Sequence, residues 1–176
     1  GMLCSAIISD TLLFRSPTCT PVDKMAATEL AKIAEIDMDR YAADMFSAGS
    51  NLRGKSNEES FYQDFKLFNS GKISYGVGQI SSLNADELTE LKDRLLPFLK
   101  KPHEEHGVDM IFFMLTNILT ESTSLLCEGE GAEDLIRLAF HMENASDDAE
   151  ANVVELPGVV SRKKQLIPSI MIASEA

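Results

Sequence analysis

The sequence predicts an α/β fold, because strand-like and helical patterns alternate along residues 57–176. A nearly unbroken apolar run over residues 108–115 is typical of a central strand that is covered on both faces. Before this run, Asn84 and Glu87 resemble a capping box that opens a helix. Four leucines recur at helical spacing on one face of that helix: Leu88, Leu91, Leu95 and Leu99.

The N-terminal part is predicted to be largely helical. Residues 3–14 are expected to form a buried helix or strand end, with Asp10 as its conspicuous polar member. Thr20 is a predicted N-cap, since a proline at the first helical position and an acid in the first turn follow it. Asp37 is expected to cap a second helix that runs to Ala48. Five residues trace one apolar face of the first of these capped helices: Val22, Met25, Ala26, Leu30 and Ile33.

Residues 49–57 are polar and glycine-bearing, which is typical of a linker. Beyond it, residues 61–68 and 72–82 carry aromatic and β-branched side chains and predict strands. Gly76 and Gly78 in the second of these indicate a bulge or a close approach to the backbone. The remaining predicted elements are a strand at 124–127, a helix at 131–140, an acidic loop at 143–152 and a short edge strand at 153–156.

The composition restricts the class of protein. The chain has 176 residues, a formal net charge of −12 and 44% hydrophobic residues, as expected for one globular domain or one domain with a piece of another. The acidic balance argues against general nucleic-acid binding, which normally shows a basic domain. No segment approaches the roughly 20 apolar residues of a membrane span. Three widely spaced cysteines without a Cys-x-x-Cys pair argue against disulfides and structural zinc, and they fit a cytoplasmic protein.

Three consecutive cations interrupt this acidic chain in the motif Ser161-Arg162-Lys163-Lys164-Gln165. Arginine offers a planar fork of donors to phosphate oxygens, and lysine adds a compact positive charge. A solvated basic patch is the alternative interpretation. The apolar flanks, residues 157–160 and 166–168, place the cations on an element that packs, which favours a phosphate site.

Other polar residues are weaker candidates. Asp10 lies in an apolar stretch, and a buried carboxylate needs a cation, a metal or several donors to stay charged. Its alternative role is to cap a neighbouring helix or to face water. Lys66 lies between aromatic residues at strand spacing, but an isolated lysine is usually a solvated surface residue. His103 and His106 flank two glutamates, yet the neighbouring proline and glycine place them in a loop at a helix end, so we expect no metal site there.

Five stretches follow one another along nearly the whole chain: IISDTLLF (7–14) with SPT (16–18), DFK (64–66), GVGQ (76–79), LTNILTES (115–122) and LPGVVSRKKQ (156–165). Together they resemble the manganese-dependent family II inorganic pyrophosphatases of the Asp-His-His phosphoesterase superfamily. The Ser-Arg-Lys-Lys-Gln motif is quite specific to that family.

This resemblance implies a domain organisation. In the family, an N-terminal domain binds the metals, and a smaller C-terminal α/β domain closes over the substrate. The chain would then contain a helical remnant of the metal-binding domain (2–48) and a hinge (49–56). A pyrophosphate-binding domain (57–176), with a mixed β-sheet flanked by helices, would follow.

The resemblance also implies site residues. Asp10 corresponds to a metal ligand, and Lys66, Arg162 and Lys163 correspond to the cations that bind pyrophosphate. The metal would be Mn²⁺, with Mg²⁺ or Co²⁺ as alternatives. The other histidine and aspartate ligands of the family are absent from the sequence, and one carboxylate cannot hold a two-metal cluster. We therefore expect no catalytic residue here, no stably held metal, and a chain that is inactive alone in hydrolysing diphosphate to two phosphates.

Two other classes of function stay open. One is a non-catalytic module that binds pyrophosphate or polyphosphate. The other is an interaction protein whose helices within residues 21–48 bury their apolar faces against another copy, giving a homodimer through residues 2–48. None of these hypotheses involves nucleic acid or a membrane.

Overall fold

The computed structural model describes residues 2–49, 54–142 and 150–175. Its helices are α1 (Met2–Asp10), α2 (Pro21–Ala34), α3 (Met38–Gly49), α4 (Asn57–Phe61), α5 (Ala85–Leu95), α6 (Lys100–His106), α7 (Ala132–Ala139) and α8 (Ile167–Glu175). Its strands are β1 (Phe65–Asn69), β2 (Ser74–Ser82), β3 (Met110–Asn117), β4 (Ser122–Glu128) and β5 (Val153–Pro157). A 3₁₀ helix spans Tyr62–Asp64, and a π-helical turn over Arg162–Leu166 leads into α8.

The strands form one sheet in the order β1-β2-β3-β4-β5. β2 and β3 are parallel, with Tyr75 opposite Met110, and the other neighbouring pairs are antiparallel. A parallel pair needs a crossover, which the segment containing α5 and α6 provides. The central strand β3 is buried from Ile111 to Thr116. The predicted α/β class, with a mixed sheet flanked by helices, is confirmed.

Side chains alternate between the two faces of the sheet and build two cores. On one face, the leucines of α5 pack in one cluster with Ile111, Phe113 and Leu115 of β3. On the other face, residues of α7 and α8 pack in one cluster with Phe112 and Met114. The four leucines predicted to share a helical face are all buried, at 7% exposure or less. The core of this part of the chain is therefore the one that the periodicity indicates.

The two predicted N-terminal helices begin where their caps indicate. The Thr20 hydroxyl accepts a hydrogen bond from the backbone N–H of Asp23, and the Asp23 carboxylate accepts one from the Thr20 N–H. This reciprocal pair is a capping box. The carboxylate of Asp37 accepts from the backbone N–H of Arg40, which places the start of α3 as predicted.

The apolar face of α2 has an unexpected orientation. The helix packs in one cluster with α1 and α3, with Ala27 and Ala31 buried and Leu30 partly buried. Three other apolar side chains of the predicted face point outward, since Val22, Met25 and Ile33 are 72%, 71% and 79% exposed. Within the described residues, α2 therefore presents an uncovered apolar stripe.

The strand predicted over residues 61–68 is shorter than expected, because the backbone before Phe65 is helical. Ser56 and Glu59 form a second capping box that opens α4, and Phe61 at its end is fully buried. The strand predicted over 72–82 is present as β2. Those predicted at 124–127 and 153–156 are present as β4 and the edge strand β5.

Parts of two predicted loops lie outside the described residues. These are residues 50–53 of the predicted linker and residues 143–149 of the predicted acidic loop. Over the part of the chain that the structure describes, no helix is both long and apolar enough to cross a membrane.

Candidate functional site

A cleft of about 650 Å³ lies between the N-terminal helices and the sheet. Its walls come from the end of α1 and the turn after it, from α3, from the start of β1, from β2 and from the segment that enters the π-helical turn. All four candidate site residues, Asp10, Lys66, Arg162 and Lys163, line this cleft. The fold thus brings together residues from three distant parts of the sequence.

The Ser161–Gln165 motif has a backbone fixed by its own side chains. The Ser161 hydroxyl accepts a hydrogen bond from the Lys164 N–H at 3.2 Å and so caps the π-helical turn. The Gln165 side chain folds back toward the segment that precedes the π-helical turn. Its Oε1 accepts hydrogen bonds from the N–H groups of Val160 and Ser161 at 2.9 and 3.0 Å. The two cations that follow Ser161 therefore project from an ordered backbone.

Arg162 is anchored within the chain. Its Nη1 donates to the backbone oxygens of Asp64 and Val77, at 2.8 and 3.1 Å. Its Nη2 donates to the Asp64 carboxylate at 2.8 Å, which makes an ion pair between residues 98 positions apart. The Arg162 side chain is only 11% exposed. The predicted arginine thus lies in the cleft, already oriented by protein groups.

Lys66 and Lys163 are the exposed cations of the cleft. Lys66 lies on β1 opposite Val77 of β2, and Lys163 follows Arg162 directly. Among residues 2–49, 54–142 and 150–175, neither ammonium group has a hydrogen bond or an ion pair. Their positive charges are therefore available to an anion, and the walls of a cleft concentrate such a field.

Lys164, the third cation of the motif, has a different environment. It does not line the cleft, and its Nζ donates to the backbone oxygen of Pro17 at 3.4 Å. This contact joins the motif to the turn that follows α1.

Asp10 is the last residue of α1 and is exposed, as in the alternative in which it faces water rather than lying buried. Its backbone oxygen accepts from the Thr18 hydroxyl at 3.0 Å. Three residues in the left-handed region follow it, Leu12, Leu13 and Phe14, with φ of 48°, 51° and 68°. Such conformations are strained, and a carboxylate is unfavourable at a helix C-terminus. The carboxylate of Asp10 therefore does not stabilise the end of α1, and stabilisation of that helix does not explain its presence at the edge of the cleft.

The metal-binding capacity of the described residues is small. They contain no group of three or more His, Cys, Asp or Glu side chains arranged to hold a metal ion. Asp10 supplies one carboxylate to the cleft, and the other lining acid, Asp64, is paired with Arg162. Since a metal cluster needs several such ligands, the residues present do not by themselves fit a held manganese ion.

The two histidines that were set aside lie away from the cleft. The structure places them on α6 rather than in the predicted loop. The ring Nε2 of His103 is 3.1 Å from the backbone oxygen of Asp109, and that of His106 is 3.0 Å from the Tyr62 hydroxyl. Both rings therefore have local hydrogen-bonding partners.

Two further lining residues were missed as site residues by the sequence reasoning. Asp64 anchors Arg162, and Gln79 donates its amide to Val160 O at 3.1 Å and to Thr116 at 3.2 Å. Gln79 thereby connects β2 to the backbone just before the basic motif. Both residues lie within stretches that carry the family resemblance, but their contacts span 37 or more positions and have no local signal.

Residues 43–173 match the DHHA2 domain family. Among curated proteins, the chain is similar to a probable manganese-dependent inorganic pyrophosphatase of Clostridium acetobutylicum, with 42% identity over 175 residues. This match covers 99% of the chain and 54% of the relative. The chain is also 41% identical over 170 residues to a cobalt-dependent inorganic pyrophosphatase of Clostridium perfringens, with 97% of the chain and 30% of that protein covered.

A solved structure has a similar fold over nearly the whole chain. The crystal structure of a Methanococcus jannaschii protein assigned to the family II inorganic pyrophosphatases matches with a TM-score of 0.85 and 34% identity. The match covers 99% of this chain and 55% of that one. The chain thus spans about half the length, or less, of the relatives that it matches.

Proposed function

The chain belongs to the DHHA2 domain family, with homologues among the manganese-dependent inorganic pyrophosphatases, and from this premise we propose that it is the pyrophosphate-binding, C-terminal portion of such an enzyme. The complete enzyme would hydrolyse diphosphate to two phosphates. The observation that carries the proposal is the cleft in which Lys66, Arg162 and Lys163 converge from two distant segments. These are the cations that the sequence resemblance assigns to pyrophosphate.

The three cations suit a pyrophosphate anion in complementary ways. Arg162 offers a planar set of donors that has been ordered before the ligand arrives. Lys66 and Lys163 add exposed point charges at the cleft surface. Cations aimed at the attacked and leaving phosphoryl groups stabilise the charge that develops during hydrolysis. We therefore assign these residues to substrate binding and charge neutralisation.

The nucleophile would come from elsewhere in the complete enzyme. Bound metal ions generate hydroxide from water near neutral pH, and the names of the relatives point to manganese or cobalt. In this chain, Asp10 would supply one carboxylate ligand from the opposite wall of the cleft. Because the described residues hold no further ligand group, we propose that the chain is inactive alone.

A domain division accompanies this proposal. Residues 2–48 would be the remnant of the metal-binding domain, residues 49–56 the hinge and residues 57–176 the substrate-binding domain. The outward apolar stripe of α2 supports the division, because an uncovered stripe of this kind normally packs against something. The additional length of the relatives offers such a surface. In the complete enzyme, closure of the two parts across the hinge would tighten the cations and the metal ligand around one substrate.

Two measurements test the proposal. Titration calorimetry with pyrophosphate is expected to show binding that Arg162→Ala abolishes. Lys100→Ala is the matched control and should leave binding unchanged, because Lys100 is an exposed cation outside the cleft. Phosphate release with excess manganese is expected to be absent from both the unchanged chain and Arg162→Ala. An unchanged chain that takes up no pyrophosphate contradicts the binding proposal. Release that Arg162→Ala abolishes contradicts the proposal of inactivity.

A second candidate function is self-association, and the exposed stripe of α2 favours it. In this alternative, Val22, Met25 and Ile33 pack against the same face of a second copy. Sedimentation over a range of concentrations would then show a dimer that Met25→Lys dissociates. A monomer at high concentration excludes it. A non-catalytic module that binds pyrophosphate or polyphosphate is the remaining alternative. Tighter binding of tripolyphosphate than of pyrophosphate would favour its polyphosphate form.

A further inference from the structure

We propose that Asp64 is a positioning residue, which holds the Arg162 guanidinium so that one edge faces the bound phosphate. This inference rests on the proposed function of the cleft and adds to it a residue that contacts the arginine rather than the reacting atoms. The guanidinium has five N–H donors, and the protein engages only some of them.

The hydrogen bonds of Arg162 divide its donors into two sets. Nη1 directs its bonds to the backbone oxygens of Asp64 and Val77, and Nη2 directs one to Asp64 Oδ1. Asp64 therefore covers the end of the planar group with its backbone and side-chain oxygens. Within the described residues, no hydrogen bond from Nε is present. The free donors are the Nε–H and the second Nη2–H.

With the Asp64 oxygens on the Nη1–Nη2 end, these two free donors lie next to each other on one edge of the guanidinium, in its plane. Two parallel N–H groups on one edge match two oxygens of a single phosphate, which is the bidentate geometry that arginine favours. Because Arg162 lines the cleft, this edge is the part of the arginine that remains for a ligand. Because Asp64 binds the Nη1–Nη2 end of the Arg162 guanidinium, the edge formed by Nε and Nη2 is the one that a phosphate can reach.

Burial supports a role in ordering. The Arg162 side chain is 11% exposed, whereas that of Asp64 is 49% exposed. The arginine is thus held in place before any ligand arrives, and a side chain that is already ordered loses less entropy on binding. A free arginine at this position would have to lose that freedom at the moment of binding.

The negative charge of Asp64 has an opposing effect, since it repels phosphate. However, its Oδ1 is paired at 2.8 Å with Arg162, so much of its field is cancelled by the guanidinium beside it. Lys66 and Lys163 have no such acid partner in the described ranges and retain their charge for the ligand. We therefore expect the ordering of Arg162 to outweigh the repulsion.

Two substitutions separate ordering from charge. Asp64→Asn keeps a side-chain oxygen that accepts from Nη2 but removes the negative charge, whereas Asp64→Ala removes both. Asp93→Ala is the control for net charge, because Asp93 is an exposed acid outside the cleft. Calorimetry with sodium pyrophosphate is expected to show roughly three- to tenfold weaker binding for Asp64→Ala. Asp64→Asn is expected to bind within about twofold of the unchanged chain, since its hydrogen bond is retained.

A second readout follows the arginine itself. In ¹⁵N NMR spectra without ligand, the Nη2 protons of Arg162, assigned by comparison with Arg162→Lys, are expected to be separated by slow rotation in the unchanged chain and in Asp64→Asn. They are expected to average in Asp64→Ala, whereas the Nη1 protons keep their backbone partners in all three proteins. This measurement reports on positioning and does not require that pyrophosphate binds.

The outcomes distinguish this inference from the proposed function. An unchanged chain that binds no pyrophosphate overturns the proposed function, and unaltered arginine signals in Asp64→Ala overturn the positioning role. If the unchanged chain binds and Asp64→Ala binds equally well, the positioning role is also wrong. Tighter binding by both Asp64 variants would show that the carboxylate opposes the ligand. A lower melting temperature with unchanged affinity would show that Asp64 is structural only.

Discussion

Gly78 lies against an aromatic ring in the centre of the domain, which leaves no room for a methyl group at this position. A Cβ atom added at Gly78 would lie 2.5 Å from two ring carbons of Phe113. Phe113 is fully buried and stacks on Phe61, which is also fully buried, with ring centroids 5.5 Å apart. The ring therefore has no free volume to move into, and Gly78→Ala is expected to overpack the core beside the cleft.

The expected loss of stability follows from two opposing effects. Overpacking a well-filled core costs about 1–3 kcal/mol. Replacing glycine by alanine also restricts the unfolded chain, which offsets about 0.4–1 kcal/mol. With each effect taken at the middle of its range, the net loss in free energy of unfolding for Gly78→Ala is about 1.3 kcal/mol. For a chain of this size, that corresponds to a decrease in melting temperature of roughly 3–5 °C.

Gly76→Ala is the matched control, since Gly76 lies two residues earlier on the same face of β2. An added methyl there would meet the ring of Phe65 and the Cδ1 of Ile111 at 2.9 Å. Phe65 lies on the edge strand and is only partly buried, so its ring can swing outward. Gly76→Ala should therefore destabilise less than Gly78→Ala.

Far-ultraviolet circular dichroism during urea and thermal unfolding measures both changes. Gly78→Ala that unfolds at the same urea concentration as the unchanged chain would mean that Phe113 can relax despite its burial. Gly76→Ala that loses more stability than Gly78→Ala would mean that Phe65 cannot swing outward. Either result contradicts the prediction.

Three further predictions concern other elements of the fold. Thr20→Ala removes the capping box with Asp23 and is expected to cost about 1 kcal/mol, seen as lost helicity; an unchanged dichroism spectrum and melting temperature would contradict it. Leu91→Ala, at a side chain 1% exposed, is expected to cost about 2–5 kcal/mol in urea unfolding, and a loss no larger than that of a surface substitution would contradict it. Hydrogen bonds from the Ser74 N–H and hydroxyl hold the pKa of Asp109 below its ordinary value of 3.8, so its stabilising effect is present above that pH and is lost as the pH falls through the lower folded value. Asp109→Asn should therefore flatten the acid side of the stability profile, and an equally steep decrease in the variant would contradict this assignment.

Local patterns predicted most of the secondary structure. The caps at Thr20 and Asp37 act over three residues, and the leucine repeat of α5 acts over one helical turn, so both are visible in the sequence. The strand predicted at 61–68 failed at its start. There, the capping box of Ser56 and Glu59 favours a helix, whereas the aromatic residues had indicated a strand.

The orientation of whole faces could not be predicted in the same way. The apolar residues of α2 were correctly recognised as one stripe, but burial depends on what lies opposite. In the described chain, Ala27 and Ala31 face the neighbouring helices and Val22, Met25 and Ile33 do not. Periodicity identifies a stripe, whereas the partner that covers it is a property of the assembled structure.

By itself, the sequence determined the α/β class, the basic motif at 161–165 and, through the family resemblance, the four residues proposed for the site. Only the tertiary structure decided that Asp10, Lys66, Arg162 and Lys163 share one cleft, and that Asp64 engages the arginine while the lysines stay exposed. The physical reason is distance along the chain. Caps and helical periodicity arise between residues a few positions apart, but a contact across 98 positions exists only once the sheet has formed.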